Sequence, residues 1–216
     1  MIELDGWDLR PAEPSALPQA WRPIAEATDP GARRTAALAL WPADFLALTP
    51  EFAQRLHDRL TDVQPCLAGD EPVLIYQAEP AVWVGRDPRD FAGPPAFWDR
   101  LPRPAQDFQR TVHSAFTFPD RESYGLMHPA HQRTIAELAR KPAGIPGWDE
   151  AAAARPGGRI ASTRLLRITR DSGNLLFCVS PDLPEGQVAT VFEGDIEPED
   201  FGPAFDDLLV MAFEET

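Results

Sequence analysis

The sequence predicts an α+β fold: a mostly antiparallel sheet with helices packed around it, and a helix-rich N-terminal region. Three observations predict it. Up to residue 63, apolar residues recur at helical spacing behind proline-marked helix starts. Strand-like runs follow in two groups, each joined by short links, with no βαβ alternation between them. The chain then closes on one amphipathic helix. At 216 residues, 44% of them hydrophobic, it can bury a real core.

Taken in order, an amphipathic start near Leu17 to Thr28 leads to Asp29 and Pro30, a cap followed by a first-turn proline, and an alanine-rich helix that ends before Pro42. Thr49 and Pro50 repeat that signature, and Phe52, Leu56, Leu60 and Val63 fall on one helical face behind them. The period changes at Pro72, where VLIYQ and AVWVG read as a hairpin across Ala78, Glu79 and Pro80. DPRDFAGPPAF reads as loop, with a short helix from Pro94 or Pro95 to Arg100. In LPRPAQDFQRTVHSAF a helix from near Pro104 places Phe108, Thr111, Val112, Ala115 and Phe116 on one apolar face. His113 falls about 140° around from Phe108, which sends it to a flank or to solvent.

AAAARPGG, residues 151–158, reads as a mobile loop. STRLLRITR, NLLFCVS and QVATVFEG then make a three-stranded meander, and the unbroken apolar run from Leu175 to Val179 fits a central strand covered on both faces. From Pro203, a last helix turns Phe205, Leu208, Leu209, Ala212 and Phe213 inward and Asp206 and Asp207 away. The division is a helix-rich segment at 1–70 and an α+β domain at 71–216, together one compact unit.

The formal net charge is −14, and no Lys or Arg follows Arg170, where twelve acidic residues crowd the last 46 positions. That excludes nucleic acid as an expected ligand, because phosphate binding needs a basic patch. Such an acidic block can steer a basic protein partner, although acidity serves solubility as well. The candidate contact residues are Asp182, Glu185, Glu193, Asp195, Glu197, Glu199 and Asp200. EGDIEPEDF lacks the ligand order and central glycine of a calcium loop and reads as a solvated or partner-facing acidic loop. Cys66 and Cys178 read as reduced thiols, Cys178 buried. No run suits a membrane span, and MIELDGWDLR is too polar for a secretion signal, so the expected location is cytoplasmic.

Little in the sequence points to chemistry, and no cofactor is expected. His113, His128 and His131 could share a metal, which gives a rival reading as a small metal-dependent hydrolase. No G-x-S-x-G elbow surrounds a serine, and RPGGRIAS lacks the strand and helix that a phosphate loop needs. Trp83, Trp98, Phe97 and Trp148 could line a groove but fit core positions better.

Leu101, Pro102 and Phe108, then Gly173 and Asn174 before an apolar strand, Gly186 and Val188 in the next, and Phe205, Leu208 and Leu209 in the last helix, together resemble the SUKH superfamily. Its members include bacterial toxin-immunity proteins and a yeast cell-wall synthesis regulator. The resemblance runs over about residues 95 to 214. Ala105 stands where the family has an aromatic, Gln109 where it has leucine, and His113 with Ser114 where it has Asn-Gly closing the helix. The resemblance implies local capping for His113 and an α+β domain that binds another protein, often a secreted toxin, without a shared active site. The first expectation is therefore a non-enzymatic immunity protein whose acidic surface meets a basic toxin or nuclease, with a regulatory scaffold module as a further alternative.

Overall fold

Ten strands form two five-stranded antiparallel sheets in the computed structural model, which describes residues 4–154 and 159–214. The first sheet runs in chain order: β1 (Leu9–Pro11), β2 (Asp62–Ala68), β3 (Glu71–Ala78), β4 (Ala81–Arg86) and β5 (Phe116–Thr117). The second contains β6 (Arg133–Thr134), β7 (Leu166–Arg170), β8 (Leu176–Val179), β9 (Gln187–Phe192) and β10 (Asp195–Asp200), in the order β10-β9-β8-β7-β6. The fold class is α+β, as the grouping of strands predicts.

A short irregular segment joins the sheets. On one side, Phe116 donates its N–H to the Leu126 carbonyl (2.9 Å) and Phe118 donates to Ser123 (3.0 Å). On the other, Tyr124 donates to Arg170 and Met127 to Ile168, both at 3.0 Å. Gly125 makes this seam possible, because a Cβ there would sit 1.9 Å from the Phe116 carbonyl oxygen. One hydrophobic core therefore spans both sheets, with Trp83 and Phe116 from the first and Ile168, Phe177 and Val188 from the second.

Helices cover the inner face of this surface: α1 (Arg22–Glu26), α2 (Pro30–Leu38), α3 (Ala43–Leu48), α4 (Pro50–Arg59) and α5 (Arg103–Thr111). Phe45 of α3 stacks on Phe108 of α5 at 4.1 Å, and Trp41 meets Phe116 edge-on at 5.0 Å. On the outer face, α6 (Ile135–Leu138) and α7 (Trp148–Ala154) shelter a smaller cluster around Leu165, Cys178 and Val191, while α8 (Phe201–Met211) packs on the inner side with Phe205, Leu208 and Leu209 buried. The central strand β8 is accordingly covered on both faces: Phe177 and Val179 join the main core and Cys178 the outer cluster.

Asp29 caps α2 as expected, accepting from the Ala32 N–H at 3.0 Å. Thr49 does not cap α4: its hydroxyl turns back to the Phe45 carbonyl. The cap comes from α8, where Asp206 accepts from the N–H groups of Glu51 (3.0 Å) and Phe52 (2.8 Å). The expectation that Asp206 points away is thus overturned: it is 7% exposed, and its charge meets two orphan donors and the positive end of the α4 dipole. Asp207 does face solvent.

Other differences are local. Val63 belongs to β2, opposite Tyr76, because α4 ends at Arg59 and Asp62 is drawn to Arg33 by a two-pronged ion pair at 2.8 Å. The β3–β4 link is only Glu79 and Pro80, joined by a cis peptide. Residues 94–100 hold just a single 3-10 turn, Trp98–Arg100, entered through Phe97 at φ 65°. Helix α5 stops at Thr111, so Ala115 and Phe116 reach the core from beyond the helix, Phe116 from β5. Ala151 to Ala154 are helical in α7, and the rest of the expected loop, 155–158, lies outside the described residues.

Candidate functional site

The stretch read as an acidic loop is the edge strand β10. Glu193 and Gly194 turn the chain with φ of 49° and 91°, as a two-residue type I′ hairpin requires, and Asp195 faces Phe192 across the turn. Side chains alternate from there. Asp195, Glu197 and Glu199 share one face with Val188, Thr190 and Phe192, whereas Ile196, Pro198 and Asp200 take the other. Thr190 donates its hydroxyl to Glu199 Oε1 at 2.8 Å and to the Glu197 carbonyl at 3.2 Å, which fixes this part of the ladder. Arg159 braces the turn, donating to the Gly194 carbonyl at 2.5 Å while lying over the Trp148 ring.

The seven candidate acids thus divide. Glu193, Asp195, Glu197, Glu199 and Asp200 gather on the hairpin, and among the described residues none of them forms an ion pair. Asp182 lies in the β8–β9 connection, bound by both arms of Arg164 at 2.5 and 2.6 Å, and that hydrogen bonding holds its carboxyl below the usual range. It borders a hollow of about 640 Å³ that Ile196 and Pro198 also line. Glu185 borders a different hollow, of about 520 Å³, beside Arg100 and Arg103. Phe192 was not among the expected residues. It is 50% exposed and stands beside carboxylates that form no ion pair among the described residues, an apolar ring that the sequence pattern places simply inside a strand.

The three histidines of the metal reading are not brought together. His113 is fully buried, which corrects its expected place on a flank or in solvent: its Nε2 shares a 2.8 Å hydrogen bond with the Tyr76 hydroxyl, inside a box made by Trp21, Trp41, Phe108 and Phe116. It lies against Gly85 of β4, where a Cβ would come within 2.4 Å of the ring. Burial pushes its pKa down to about 3, so it is a neutral core residue. His128 and His131 pair at 5.7 Å on the other face of the same strand, beside Arg86. No group of three or more His, Cys, Asp or Glu among the described residues could hold a metal. Cys66 and Cys178 are buried free thiols, and burial raises the Cys66 pKa to about 11. Trp83 and Trp98 are core residues whose indole N–H groups reach the Tyr124 carbonyl and Gln109 Oε1.

Comparison with protein-family models, with curated proteins and with solved structures finds no match to this chain. No helix among the described residues is long and apolar enough to cross a membrane.

Proposed function

We propose that the protein is a non-enzymatic binding domain that takes a basic protein partner on the β9–β10 hairpin, and that the partner is a toxin it neutralises. The observation that carries this reading is the hairpin face itself: half-exposed Phe192 flanked by Asp195, Glu197 and Glu199, carboxylates that form no ion pair among the described residues. An exposed aromatic ringed by acids suits an arginine- or lysine-bearing surface, through charge and through cation–π contact. The resemblance of residues 95–214 to immunity proteins supports the choice of a toxin as that partner.

The contact is made by side chains and not by adding a strand. A two-residue turn makes Asp195 and Phe192 a hydrogen-bonded pair, so Glu197 and Glu199 point their amides at β9 while residues 196, 198 and 200 face outward. Proline at 198 removes one of those outward donors at no cost to the ladder, a device that blunts a sheet edge against further strands.

The test is charge reversal of Glu193, Asp195, Glu197 and Glu199 together, measured against a basic toxin whose toxicity this chain blocks on co-expression. Association should slow by about tenfold or more and lose much of its salt dependence. An unchanged on-rate and salt slope would remove the hairpin from the interface.

A further inference from the structure

The outer face of the second sheet carries a small apolar cluster, and that cluster is open on one side. Leu183 is buried in it, while Ile160 and Ile196 pack against it only in part. These three, with Pro184 and Pro198, line the hollow of about 640 Å³ between β10, the β8–β9 connection and residues 159–160. A space of that size lies in the range that takes a small molecule, and an apolar ligand there would extend the outer cluster.

The remaining lining is polar: Arg159, Asp182 and Gln187. Its two charges differ in what they already hold. Asp182 is neutralised by both arms of Arg164. Arg159 lies over the Trp148 ring at 4.6 Å and donates to the Gly194 carbonyl, and among the described residues it forms no ion pair. The register of β10 turns Asp195 and Glu197 to the opposite face, away from this guanidinium. Asp200 shares the face of Ile196 and Pro198, but it stands at the far end of the strand, opposite Gln187. The hollow is therefore polarised along β10, with a cation at the turn end, a carboxylate beyond the other end and apolar side chains between. Only the turn end favours an anionic group.

We propose that this hollow binds a small apolar carboxylic acid, its chain laid on Ile160, Leu183 and Ile196 and its carboxylate on Arg159. A guanidinium carries five N–H donors in a planar fork, so the bond to Gly194 leaves donors for both oxygens of the acid, and stacking on Trp148 holds the fork in place. The chain of the acid covers apolar surface that the outer cluster leaves open to water. A neutral chain of the same length gains only that second contribution, so the site selects for the charge. The hollow lies on the face of β10 opposite Asp195, Glu197 and Glu199, and the proposal stands whether or not that other face binds a toxin.

The experiment follows the methyl NMR signals of the full chain during titration with sodium octanoate at neutral pH and fixed ionic strength. The signals of Ile160, Leu183 and Ile196 should move saturably, while those of Ile24 and Ile168 in the main core stay. Octanol, the neutral chain of the same length, should bind about tenfold more weakly. Arg159→Gln keeps a donor for the Gly194 carbonyl and removes the charge, so it should bring octanoate down to the level of octanol and leave octanol unchanged. Ile196→Glu, at a partly buried edge position, should abolish binding of both while the main-core signals keep their folded positions. No saturable shift up to about 5 mM octanoate, equal affinity for acid and alcohol, or an unchanged midpoint in Arg159→Gln overturns the proposal, since a charge-assisted contact contributes about tenfold or more.

Discussion

Consecutive residues of β4 open onto two different histidine environments. Gly85 presses against His113 on the inner face, where the imidazole is sealed among four aromatic rings and a tyrosine. Arg86 meets His128 and His131 on the outer face, near solvent and among other arginines. The sheet is one residue thick, yet it separates a histidine that serves as a packing element from a pair that burial and Arg86 hold below the ordinary histidine range. Residue type does not set the role here; the side of the strand does.

The largest way to break the inner half is to refill the space that Gly85 leaves. Gly85→Ala should destabilise the fold by about 3 kcal/mol, because the ring it meets has no free volume to enter, and urea unfolding measures it. Acid comes next. The folded pKa of His113 lies near 3 and the unfolded value near 6.5, so the unfolded chain binds the proton first. Stability is then full above about pH 6.5 and falls as pH drops toward 3, with a loss of about 2–3 kcal/mol by pH 4.5. Unfolding profiles of wild type and His113→Gln should diverge over that window by nearly one proton. If their slopes coincide, His113 is not the neutral core residue described above. The smallest effect belongs to the outer half: His131→Ala should shift stability by no more than about 0.5 kcal/mol, since the side chain is exposed and holds no core contact.

What was legible in the sequence was what local grammar controls. Asp29 and Pro30 announce α2, the period-2 runs announce β3, β4 and the meander, and the spacing from Phe205 to Phe213 gives the buried face of α8. The misreadings arise where a distant partner decides. His113 was placed by extending a helix that in fact stops at Thr111, and once the helix ends the angular argument no longer applies. Gln109, at a position where a leucine would be usual, is buried without penalty because Trp98, Ser114 and Met127 satisfy both ends of its amide.

The acidic hairpin was legible by charge and missed by shape. Six residues carrying four carboxylates and a proline do not look like a strand, and only the turn at Glu193 and Gly194, which lacks the usual asparagine, commits them to one. The grouping of Arg86 and Arg121 with His128 and His131 had no linear signal, because these residues become neighbours only where the chain folds back along the first sheet.

The Asp206 cap ties the history of the chain to its form. Phe52 waits for a carboxylate 154 residues further on, so the first turn of α4 cannot be completed while a nascent chain is still shorter than that. The N-terminal helices are therefore held provisional until α8 has been made, and that helix latches the first part of the molecule shut.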